Sequence, residues 1–156
     1  MAANTGRTVS QYTLFNVDDS GGTLRSIAVN SINGVGLDYP EVDVSAFYDT
    51  VKGVLLDTPS CVIDITGPID TTASTGNMIV LSGIVGLQVP LALDIRIGMR
   101  HTWESGEPAF GITGTATNGF LCKSFTVDPG SGTYSASFVV AAGSAAPGWV
   151  FTGSHT

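Results

Sequence analysis

Positive charge is what this sequence has least of. Its 156 residues hold 6 Lys and Arg against 13 Asp and Glu, a formal net charge of −7 with His neutral. A nucleic-acid binder displaces phosphate counterions with clustered cations, and a chain that settles on anionic lipid needs the same, so both classes are disfavoured. Charge of either sign is scarce, at 12% of residues, about half the usual share. Long apolar runs are also missing: Val89–Leu93 falls far short of the roughly 20 residues of a membrane span. Met1–Ser10 is polar and shows no apolar core of a secretory signal. Cysteine is limited to Cys61 and Cys122. Neither has a Cys or His partner at metal-ligand spacing, and each sits in an alternating apolar run, the setting of a buried free thiol.

Catalytic signatures are absent as well. There is no Gly-x-Ser-x-Gly, no His-Glu-x-x-His and no Gly-x-x-x-x-Gly-Lys. Of the two histidines, His155 is next to the last residue, and His101 follows Arg100 and precedes Trp103-Glu104. Nothing in the sequence pairs either with a nucleophile, so both read as surface or interface residues rather than as a base. The chain is therefore expected to be no enzyme and to hold no metal or cofactor. Asp18-Asp19-Ser20-Gly21-Gly22 has the look of a calcium loop but lacks alternate ligands and a distal bidentate Glu; a tight turn is the simpler reading. Trp103, Trp149 and the tyrosines are scattered, which suits core or contact roles better than a sugar-binding platform.

What the chain does have is turn residues and period-two alternation. Twenty Gly and 7 Pro punctuate it from end to end. Between them, Leu91, Leu93, Ile95 and Ile97 share one strand face, with Asp94 and Arg96 on the other. Cys61–Thr66 repeats the pattern, placing Asp64 on the polar face. Tyr134, Ala136, Phe138 and Val140 alternate in the same way; Leu121, Phe125 and Val127 do so with Lys123 interrupting. Asp128-Pro129-Gly130-Ser131-Gly132 joins these last two runs, predicting a hairpin of 119–127 with 133–141. Further strands are predicted at 10–17, 23–30, 41–47 and 110–117. One helix is predicted within 74–86, capped by Ser74 or Thr75, with Met78, Leu81, Ser82 and Val85 at helical spacing. Ala46–Leu56 reads equally as a weak helix or an ordered loop.

The fold class expected is mainly β: a single antiparallel β-sandwich or barrel over 1–156 with one short flanking α-helix. Residues 1–8 and 143–156 read as arms, the latter with apolar anchors at Trp149 and Phe151. Mean hydropathy is positive, +0.30, so much weakly polar surface must be covered, and self-assembly is the first expectation. Phe47, Tyr48, Val51, Val54 and Leu55 are the candidate subunit contacts, because a monomer keeps such a segment polar. The competing reading folds this segment back over its own core.

Val17-Asp18-Asp19-Ser20-Gly21-Gly22-Thr23-Leu24-Arg25-Ser26-Ile27 resembles the opening of the tail tube proteins of long-tailed bacteriophages. In that family the run is followed by an asparagine-containing turn, the place held here by Asn30-Ser31-Ile32-Asn33-Gly34. Val42–Thr50 and Ile63–Asp70 stand where the family has its next strands and loop, with Ala46 and Tyr48 departing from its smaller or glycine residues. The short helix and closing hairpin follow the family order across residues 9–141. The resemblance implies a virion structural protein, assembled in the host cytoplasm. Its partners would be further copies of itself, in hexameric rings that stack, and other tail proteins. Such a tube conducts DNA without specific binding, and the sheets of six subunits join into one inner barrel. Asp64 and Asp94, if both lie on that joined sheet, are the candidate lumen residues and make the wall acidic. The alternatives are a β-sandwich binding module for a receptor or carbohydrate, and another tail or head-decoration protein.

Overall fold

A computed structural model describes residues 13–97, 108–112, 115 and 117–151. Arg100, His101, Trp103, Glu104, His155 and the segment 1–8 lie outside the described residues. Within them the chain is mainly antiparallel β with one short helix.

The elements are β1 (Leu14–Asp18), β2 (Leu24–Ile27), β3 (Ser31–Asn33), β4 (Glu41–Asp43), β5 (Val54–Leu56) and β6 (Val62–Pro68), then α1 (Asn77–Ile84). They continue with β7 (Leu93–Arg96), β8 (Ala109–Ile112), β9 (Phe120–Asp128), β10 (Thr133–Val140) and β11 (Gly148–Val150). Five strands form one sheet in the order β11-β8-β7-β1-β2, four form a second in the order β3-β6-β10-β9, and β4 pairs only with β5.

The two larger sheets bury their apolar faces against each other, as period-two alternation dictates. Phe15, Leu93, Ile95 and Phe110 of the first sheet meet Ile63, Ile65, Tyr134 and Phe138 of the second in one core. The rings of Phe15 and Phe138 stand 5.6 Å apart between centroids. The Tyr134 hydroxyl reaches the Ala28 carbonyl at 2.6 Å, so its polar end is satisfied and burial pushes its ionisation well up. Cys61 and Cys122 are buried free thiols, and burial raises the Cys122 thiol to about 11.

Four local expectations are corrected. The helix lies within 74–86, but Gly76 is its N-cap and no side chain caps it. Its inner face is Asn77, Val80, Leu81 and Ile84, not the Met78–Val85 stripe. Buried Asn77 sets that face: it donates to the Pro68 carbonyl at 2.7 Å and the Ala28 carbonyl at 3.3 Å, and accepts the Asp70 N–H at 3.0 Å. The stretch 143–156 is not simply an arm, because β11 completes the five-stranded sheet on β8 and Trp149 packs on Phe110 at 5.1 Å. The Lys123 interruption is a β-bulge. Cys122 pairs with Phe138 while Ser124 pairs with Ser137, leaving Lys123 as the extra residue. The side-chain alternation changes phase there, so Cys122 faces the core before the bulge and Phe125 and Val127 face it afterwards.

Candidate functional site: an apolar ribbon and a hydroxyl-rich sheet face

Gly34 takes a left-handed φ of +81°, and a Cβ there would meet the Val62 carbonyl. Only glycine fits this close approach at the end of β3, and the excursion it opens carries the candidate contact residues. An Asp38–Ser60 bridge closes the base of that excursion. Beyond it β4 and β5 pair Glu41 with Leu56, Val42 with Leu55 and Asp43 with Val54. Ala46–Leu56, which the sequence reads equally as a weak helix or an ordered loop, is therefore a loop that ends in a strand.

The tip orders itself. Ser45 Oγ accepts the Gly53 N–H at 2.7 Å, Asp43 accepts the Ser45 N–H at 2.9 Å, and Asp49 accepts the Ala46 N–H at 2.7 Å. The ribbon does not fold back over the core, which disposes of that alternative. Phe47 and Tyr48 are 107% and 97% exposed, and Val42, Val44, Val51, Val54, Leu55 and Leu56 are exposed as well. An isolated two-stranded ribbon is marginal in water, and this one carries eight exposed apolar side chains.

The outer face of the four-stranded sheet has the opposite character. Register places Asn33, Asp64, Ser137 and Ser124 in one row across it and Ser31, Thr66, Ser135 and Thr126 in the next. Thr133 lies between Pro68 and Asp128 in a third row. Hydroxyls dominate, with Asp64 and Asp128 as acids and Lys123 as the cation beside them.

Asp94 departs from its expected place. It stands on β7 in the other sheet, so Asp64 and Asp94 do not share a face or a sheet. It does lie opposite Leu93 and Ile95, yet its side chain is 0% exposed, and Arg96 Nε donates to it at 2.7 Å. A buried carboxylate persists only when paired, and the i+2 arginine on the same strand face supplies the partner. Sequence alternation placed Asp94 on the correct face; the covering of that face was not legible from it.

Asp18–Gly22 is a turn. Asp19 Oδ1 accepts the Gly21 and Thr23 N–H groups at 2.9 Å each, which engages that oxygen with backbone rather than leaving it for a cation. Among the described residues no group of three or more His, Cys, Asp and Glu side chains is placed to hold a metal ion, and no helix is long and apolar enough to cross a membrane. Two cavities of about 420 and 410 Å³ are lined, among the described residues, by aliphatic and small polar side chains such as Val29, Ile32 and Ile95, or Val62, Val139 and Pro147, without an aromatic ring. They offer no stacking surface for a sugar.

The architecture is that of an antiparallel β-sandwich with one flanking helix. Solved structures share it. The chain is similar to a chain of the anti-feeding prophage baseplate, solved by cryo-electron microscopy and 6-fold symmetrised. The TM-score is 0.62 at 9% identity, covering 94% of this chain and 97% of that one. It is also similar to a chain in the tail of an empty GTA particle refined with C6 symmetry, with TM-score 0.55 and 15% identity over 94% of this chain and 100% of that one. No protein-family model matches the chain, and no curated protein matches it.

Proposed function

We propose that this chain is a structural subunit of a phage tail, and within the tail a tube protein that forms six-membered rings stacked into a hollow conduit. The observation that carries this reading is the ordered β4–β5 ribbon, which holds bulky apolar side chains in solvent where only a second chain can cover them. The shared fold with chains of two 6-fold assemblies, at nearly full coverage of both partners, supports the tail setting and the ring number.

Sheet topology fits ring closure. Four antiparallel strands leave β3 and β9 as edges running in opposite directions. Val85 and Leu91 bridge the Phe120–Cys122 start of β9; a rotation about an axis along the strands brings the rest of β9 of one copy beside β3 of the next as an antiparallel pair, and repetition covers these two edges. The face that lines the resulting channel is the hydroxyl-rich one, with Asp64 near its middle. Asp64 and Asp128 leave that face acidic, with Lys123 out at its β9 edge, so DNA slides past without the counterion release that a cationic wall would reward. Asp94, buried in the other sheet, takes no part in this wall. The chain performs no catalysis in this role.

Val51→Asp with Leu55→Asp tests the reading. Both side chains are exposed, so the monomer keeps its fold, and assembly of the purified double variant is expected to be lost. Normal rings or tubes from it would overturn the role given to the ribbon.

A further inference from the structure

A ribbon that docks on another copy of the same chain needs a receiving surface, and in a ring that surface is a different patch of the molecule. The sheet fixes where each patch lies. The ribbon leaves at the end of the four-stranded sheet marked by Val62 and Val139, on the β3 flank. At the same end, on the opposite β9 flank, α1 runs out: Gly86 takes φ +79°, its N–H bonds to the Cys122 carbonyl, and Val85 bridges Cys122. The left-handed glycine turns the chain outward, and Leu87 and Val89 emerge 37% and 62% exposed before Leu91 returns to pair with Phe120.

Charge is complementary across these flanks. Residues 38–57 carry Asp38, Glu41, Asp43, Asp49 and Asp57 against Lys52 alone. On the same flank stands exposed Lys123, the extra residue of the β9 bulge and next in sequence to the Cys122 that Val85 bridges. Among the described residues Arg25, Lys52 and Arg96 each have a carboxylate within ion-pair distance, and Lys123 has none.

We infer that Leu87, Val89 and Lys123 form the receptor for the β4–β5 ribbon of the neighbouring copy in the same ring. The apolar side chains of the ribbon cover Leu87 and Val89, and its acidic groups pair with Lys123. The two patches lie on opposite flanks at one end of the sheet, so the contact repeats around a ring and does not close as a two-fold dimer. This inference rests on the subunit reading above.

Mixing two monomeric variants tests it. Val51→Asp/Leu55→Asp has a spoiled ribbon and an intact receptor; Leu87→Asp/Val89→Asp has the reverse. Each alone is expected to sediment as a folded monomer, with the circular dichroism of the unaltered chain. Mixed in equal amounts, they are expected to give a species of two chains and nothing larger, because only one good contact can form. Lys123→Glu added to the ribbon variant is expected to abolish that species. A mixture that stays monomeric overturns the inference, as does Leu87→Asp/Val89→Asp assembling like the unaltered chain; both leave the tail reading standing. Failure of the unaltered chain to assemble overturns the tail reading, and this inference with it. Should Leu87→Asp/Val89→Asp fail to fold, Val89→Asp alone, at the more exposed position, replaces it in the mixture with the same expected outcome.

Discussion

Arg25 Nε donates to Asp19 Oδ2 at 3.0 Å across the β1–β2 turn. The other Asp19 oxygen takes two backbone N–H groups. These bonds, that from Thr23 foremost, hold the Asp19 carboxyl below its ordinary value of 3.8. A carboxyl depressed in the folded state stabilises it fully above the unfolded value and loses that contribution as pH falls through the lower folded value. Asp19→Ala is therefore expected to cost about 1 kcal/mol at neutral pH, the turn being solvent-facing. The gap between variant and unaltered chain should narrow as pH falls below 3.8. Urea unfolding at a series of pH values measures both, and a gap that widens toward acid would contradict the assignment.

Asn77 ties the start of α1 to the sheets through Pro68 and Ala28. Its side chain is buried, so removing it takes the amide partner from the Pro68 carbonyl and the Asp70 N–H, while the Ala28 carbonyl keeps the Tyr134 hydroxyl. Asn77→Ala is expected to destabilise the fold by about 2–4 kcal/mol, read as a lowered unfolding midpoint. A change within experimental error would show that water replaces the amide.

The channel wall gives a prediction about DNA. Assembled protein is expected not to retain duplex DNA at ordinary salt. Asp64→Lys puts one new cation on the wall per subunit, and tubes of that variant are expected to hold DNA in a manner that weakens as salt rises. Equal DNA retention by the two proteins would place Asp64 away from the channel.

Much of this architecture was legible because burial imposes periodicity. The alternating runs at Cys61–Thr66, Leu91–Ile97 and Tyr134–Val140 became β6, β7 and β10, and Asp128–Gly132 became the turn of the β9–β10 hairpin. The three-residue strands β3, β5 and β11 are not legible in the sequence, because a run that short carries no period and exists through its partner. The spacing points to the wrong helix face because Asn77 is polar by composition yet buried by its bonds. Asp94 shows the same limit from the other side: alternation says which face a side chain takes and is silent on what covers that face. The ribbon residues were readable as out of place in a loop, whereas Leu87 and Val89 became notable only once the topology put them on the flank opposite the ribbon.

The central claim is that copies of this chain close into rings that stack around a channel. Electron microscopy of the purified, concentrated protein tests it most directly. The account predicts 6-fold rings or hollow tubes, with the Asp64 face of the four-stranded sheet toward the channel and the ribbon between neighbours. Particles that remain single 156-residue chains at every concentration, or a closed two-fold dimer, would contradict it.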